Sequence, residues 1–201
     1  MEIEDQHPVH ARIAANLRAL RAAHSMSLET LAQASGVSRS ALSLIERGQS
    51  SPTAVVLDKI AVGLGVSLAD LFASKTNADT HLPTPLARHA DQVCWTDPGS
   101  GYVRRALSPV GFASPIQLVE VHFPPGARVA FETGPRSNNV HQQVWVLEGQ
   151  LTLTVGTVSW QLETGDCLAM ALDQPTAFHN PTQQTTRYAV ALATDTTPRK
   201  N

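Results

Sequence analysis

Two cysteines in 201 residues, Cys94 and Cys167, cannot staple a fold, and both read as small apolar residues in strands. No stretch approaches the roughly 18 consecutive apolar residues of a membrane-spanning helix. The acidic start (Glu2, Glu4, Asp5) does not look like a secretory signal. A cytoplasmic protein without a membrane partner is therefore expected. Also missing are a glycine-rich phosphate loop ahead of a helix, a legible Ser-His-Asp order, and an activating base beside Cys167. These absences remove the nucleophiles most readily read from sequence, so no catalytic residue is assigned. What the chain does have is apolar mass, 42% of residues, enough for a buried core in one large domain or two small ones.

Overall charge is −2, but it is unevenly spread. Residues 10–72 carry six basic against four acidic side chains, whereas residues 81–197 carry six against nine. A sign change of this kind suggests two domains with different partners. The hydrophobic period changes in the same place. Ile13, Leu17 and Leu20 recur at helical spacing, and Ser27, Ser38, Thr53 and Ser67 stand where helix caps belong. Gly36, Gly48 and Gly65 close the segments they follow. This predicts an all-α domain of five short helices over 10–72, preceded by a tail over 1–9. Residues 73–82 are polar and aperiodic and read as a linker, flexible by composition. From 83 to 196 short apolar runs alternate at period two between turn signals such as Asp97-Pro98-Gly99 and Pro124-Pro125-Gly126, which predicts an all-β sandwich or barrel. Glu148-Gly149 reads as the turn between two of its strands, and 197–201 as a C-terminal tail.

The segment LETLAQASGVSRSALSLIERGQSSPT reads as helix, glycine turn, and second helix with a small polar outer face. That is the helix-turn-helix pattern, in which the second helix enters the major groove N-terminus first. Arg39, Ser40 and Ser43 are then aimed at base edges, Arg39 with the fork that pairs with guanine. Ser27, Ser38, Arg47 and Thr53 are candidate phosphate contacts. The residues LAQASGVSRSALSLIERG and LDKIAVGLGVSLADLF resemble the Xre-type, phage-repressor-like DNA-binding family. The resemblance adds Leu44 to the groove-facing set, where the family usually has a long polar residue.

In the β half, Arg136, Asn138 and Gln142 occupy alternating strand positions that share one face. The pieces DPGSGY, FPPGA, VWVLEGQLTLTVG and ETGDCLAMALDQPTAFHNPT resemble the cupin barrel, a double-stranded β-helix, of the sensing type found behind Xre-type readers. The resemblance places the family's metal ligands at Arg136, Asn138, Gln142 and Thr176. An arginine is a permanent cation that only donates, so this set recognises rather than coordinates. No metal or other cofactor is expected. Arg136, Asn138, Gln142, Thr176 and Phe178 become candidate effector contacts, and the effector is anionic if Arg136 faces inward. Phe178 and Trp145 are otherwise core or interface residues. A displaced metal site from His122, His141 and His179 is the alternative, although the pleat turns His141 away from Gln142.

These readings converge on a DNA-binding transcriptional regulator that senses a small molecule and binds double-stranded operator DNA as a homodimer, its two readers about 34 Å apart. A DNA-tethered cupin enzyme and a barrel that only dimerises are the competing readings. With a flexible linker, coupling between the halves is expected to run through the dimer.

Overall fold

The protein, described here from a computed structural model, is traced over residues 7–72, 84–109, 111–112, 114–132 and 139–195. Its first part holds four α-helices among the described residues: α1 (His7–Ala23), α2 (Leu28–Ser35), α3 (Arg39–Glu46) and α4 (Ala54–Leu64). The caps stand where the sequence places them. Ser27 accepts from the Thr30 amide, Ser38 from Ala41 and Thr53 from Val56. Gly36 ends α2 at φ +69°, a conformation in which any L side chain is strained. The expected fifth α-helix is instead a 3-10 helix, Leu68–Phe72. The Asp70 carboxylate folds back onto the amide and hydroxyl of Ser67, both at 2.7 Å, and the Asp70 amide bonds the Ser67 carbonyl at 3.1 Å. This i→i+3 closure holds the segment at the tighter pitch.

Ten strands follow. β1 (Cys94–Thr96), β2 (Val103–Ala106), β3 (Ile116–Phe123), β10 (Thr186–Asp195), β5 (Asn139–Glu148) and β8 (Cys167–Ala171) form a six-stranded antiparallel sheet in the order β1-β2-β3-β10-β5-β8. β4 (Arg128–Phe131), β9 (Thr176–His179), β6 (Gln150–Val155) and β7 (Val158–Glu163) form a second sheet in the order β4-β9-β6-β7. The sheets face each other across a core of Val119, Val121, Phe123, Val144, Val146, Leu151, Leu153, Phe178 and Tyr188. The expected closed barrel is therefore, among the described residues, a cupin-like pair of sheets with no hydrogen-bonded closure. The expected turn at Glu148-Gly149 is a corner: β5 and β6 belong to different sheets and do not pair. Gly149, at φ +86°, lies against Thr186, where an added Cβ would come 3.0 Å from its hydroxyl.

The helical and sheet parts pack directly on one another. Asp97, in the turn after β1, is buried, and its Oδ1 accepts the Ala54 amide at the start of α4 at 2.8 Å. Its Oδ2 accepts the amide and hydroxyl of Ser100 at 2.8 and 2.6 Å. A carboxylate at a helix N-terminus satisfies an orphan amide and complements the helix dipole. Beside it Phe72 packs on Trp95, ring centroids 5.5 Å apart. Lys59 and Glu132 pair at 2.9 Å on the exposed rim of the contact, where an ion pair contributes little.

Asp97→Ala strands one buried and one part-buried amide, so we expect it to cost about 2–3 kcal/mol in urea unfolding of the full chain. Asp97→Asn, which keeps one acceptor, is expected to lose about half as much. A loss under about 0.5 kcal/mol for the alanine variant, within the scatter of ordinary surface changes, would remove Asp97 as the anchor.

Candidate functional site

The first site is α3. Leu42 and Ile45 bury its inner side, and burial of each contributes about 1.5–3 kcal/mol. At about 100° per residue, Arg39, Ser40, Ser43, Leu44 and Arg47 fall within an arc of about 140° on the other side. All of them are exposed except Ser43, which is half-buried. Leu44 is 39% exposed, a large apolar side chain left on the surface. Arg47 donates Nε to the Ser43 carbonyl at 3.2 Å, whereas Arg39 has no partner among the described residues. The hydroxyls of Ser27, Ser38 and Thr53 are occupied as caps, so these residues hold helix N-termini in place. Thr53 also lies beside Gly99 of the sheet half.

What orients α3 was not legible as such. Arg21 of α1 reads as a solvated helix charge. In the structure its Nε meets Glu46 Oε1 at 2.6 Å, its Nη2 meets Oε2 at 3.0 Å, and its Nη1 donates to the Met26 carbonyl at 2.8 Å. The hydrogen bond that Arg21 donates to Glu46 raises the Arg21 pKa against the opposing effect of desolvation. Such a two-pronged pair fixes direction as well as distance. It locks the C-terminal end of α3 to α1 and to the turn ahead of α2.

The second site is a cavity of about 110 Å³ between the two sheets, reaching the helical half. Gln142 and Thr176 line it, 8% and 5% exposed, beside Phe178. The strand pleat puts Gln142 inside and leaves His141 exposed. Arg136 and Asn138 lie outside the described residues. Val119, Val121, Val190 and Leu192 supply apolar wall. Asp58, Ser67 and Leu68 complete the lining from the helical side.

The cavity residue with the most chemistry escaped the sequence reading. Arg104 on β2 lines the cavity and is 5% exposed. Its guanidinium carbon stands 4.9 Å over the Phe72 ring. Burial lowers its pKa, and it raises in turn the question of what balances its charge. The nearby phenols of Tyr102 and Tyr188 are pushed up by burial and stay neutral. The histidines of the displaced-metal alternative do not converge. His141 is exposed, His122 stands 3.7 Å from Glu120, and no group of three or more His, Cys, Asp or Glu side chains among the described residues is placed to hold a metal. Trp145, read as core or interface, is 51% exposed on the outer face of β5. Among the described residues no helix is long and apolar enough to cross a membrane.

A helix-turn-helix family model matches residues 17–71. The HTH-type transcriptional regulator SutR of Escherichia coli (strain K12) is 30% identical over 177 residues, spanning 88% of this chain and 91% of its own. The HTH-type transcriptional regulator PuuR of the same strain is 26% identical over 166 residues, spanning 82% and 85%. A crystal structure of an HTH_3 family transcriptional regulator from Vibrio cholerae superposes with a TM-score of 0.75 at 25% identity, over 97% of this chain and all of that one.

The free fork of Arg39 at the exposed start of α3 gives a specific expectation. Arg39→Ala should weaken binding to a specific operator by about 1–3 kcal/mol and binding to scrambled DNA much less. Equal losses on both in a gel-shift titration would reduce Arg39 to a phosphate contact.

Proposed function

Because this chain belongs to the Xre-type helix-turn-helix transcriptional regulators and carries a cupin-like domain behind its reader, we propose that it is an effector-responsive regulator. In this reading α3 docks in the major groove, with Arg39, Ser40, Ser43 and Leu44 facing bases and Arg47 facing a phosphate. The helix N-termini capped by Ser27 and Ser38 offer further backbone contacts, whereas the N-terminus of α4 behind Thr53, expected as a phosphate contact, is taken by the Asp97 carboxylate. The cavity holds a small molecule, and Gln142 and Thr176 hydrogen-bond it while Phe178 forms part of its wall. Two copies act together on a two-fold operator. The domain limits that go with this are 10–72 for the reader and 83–196 for the sensor, with 73–82 between.

The observation that carries the proposal is the origin of the cavity's walls. Asp58, Ser67 and Leu68 belong to the reader, and Gln142 and Thr176 to the sensor. An occupant touches both, so it distinguishes arrangements of the two that an empty cavity does not. A ligand shifts an equilibrium only through such differential contact. The route needs no lever in residues 73–82 and operates within one chain, whether or not the dimer adds a second route. The names of the relatives favour binding over the DNA-tethered enzyme.

A compound selected for raising the melting temperature of the full chain is expected to change operator affinity by roughly 5–150-fold, the usual range of coupling. Linkage requires that saturating operator change the affinity for that compound by the same factor. Calorimetry giving one ligand affinity with and without operator would mean that the cavity is not coupled to the reader.

A further inference from the structure

We propose that Arg104 is the anion-recognition residue of the cavity, taking the carboxylate of a small organic acid whose apolar body lies against the valine and leucine walls. The inference rests on the effector reading above and names the effector's chemical class. It begins with a charge that is not balanced. Arg104 is 5% exposed, yet among the described residues it makes no hydrogen bond and no ion pair. Its guanidinium lies instead over the face of Phe72, 4.9 Å away. A buried guanidinium is expensive unless both charge and N–H groups are met, and a ring face meets only part of the charge. None of its nitrogens is among the polar atoms sealed from space without a partner, so the donors that are unmet open onto a void. That void is the cavity that Arg104 lines.

The neighbours select the ligand. A planar fork of donors matches a carboxylate in two parallel hydrogen bonds. Gln142 and Thr176 can add uncharged hydrogen bonds, and Val121, Val190 and Leu192 call for a hydrocarbon body. Asp58 also lines the cavity, but it forms no ion pair with Arg104 and has interactions of its own. The Tyr102 and Tyr188 hydroxyls, neutral through burial, do not oppose an anion. The same guanidinium stacks on Phe72, the last residue of the reader's 3-10 helix, so drawing it toward a carboxylate alters a contact of the reader.

The test uses full-length protein and matched probes: butyrate, hexanoate, phenylacetate and benzoate, each beside its primary amide. At least one acid should bind, by calorimetry and thermal shift, at least tenfold more tightly than its amide. Arg104→Met, close in volume and uncharged, should lose that preference and bind the acid at least tenfold more weakly. Without ligand it should melt no lower than the parent, because it removes an unbalanced buried charge. Val121→Phe, which fills the wall, should abolish binding of acid and amide alike. If Arg104→Met melts lower and binds the acid as the parent does, the arginine is structural and the proposal falls. It also falls if amides bind as well as acids, or if no probe binds. Amide binding that Val121→Phe abolishes would leave the effector cavity standing without the anion site. Acid binding that needs Arg104 but leaves operator affinity unchanged would leave the anion site standing without the regulator reading.

Discussion

The Asp97 carboxylate, seated on the first amide of α4, is the constraint from which the rest of the molecule follows. It comes from a turn of the sheet half and serves as a cap for a helix of the reader. α4 is the spine of that reader. Its Leu57, Ile60, Ala61 and Leu64 are buried, and Gly63 brings α2 so close that a Cβ there would come within 2.8 Å of Ser35. α2 and α3 share the glycine turn, and Arg21 with Glu46 fixes α3 to α1. The direction of the recognition helix is thus referred, contact by contact, to a carboxylate in the other half. α4 also carries Asp58 to the cavity.

Alongside this polar anchor runs an apolar one. Phe72 meets Trp95, Trp95 meets Tyr102, Tyr102 meets Phe123, Phe123 meets Tyr188, and Tyr188 stacks on Phe178. Ring centroids stay 5.5 to 6.1 Å apart throughout. The chain of rings starts at the reader's last described residue and ends at the cavity wall. Close-packed interiors do not deform smoothly, so a change at one end is accommodated as a repacking rather than absorbed. Contiguity becomes coupling only where a packed element has two arrangements that both sites bias. The Arg104–Phe72 stack is one place where a cavity residue touches the reader, besides Asp58, Ser67 and Leu68 on the lining itself.

Much of this architecture is legible in the chain, because its signals are local. Caps at Ser27, Ser38 and Thr53 and the glycine at 36 need only their neighbours, and the alternation of β5 and β9 places Gln142 and Thr176 inside without further information. What escapes is long-range. Asp97 reads as an ordinary turn residue, since its partner amide is 43 positions away. Arg104 and Arg105 are adjacent, and composition argues that neither is buried; only the register of β2 against Trp95 and Val121 decides it. β4 is equally hard to read, because Arg128–Phe131 is four residues long and its pairing with β9 is remote in sequence. Leu151 to Val155 follow Gly149 as a hairpin's second strand would, and nothing local tells a hairpin from a step between sheets.

The central claim is that the helical and sheet halves form one cooperative unit, which their sequence periods alone would divide in two. Scanning calorimetry of the full chain without ligand tests it directly. A single transition is predicted, with calorimetric and van't Hoff enthalpies in agreement. Two resolved transitions, with helical ellipticity lost in one and strand signal in the other, would show that the halves unfold independently and would contradict the account.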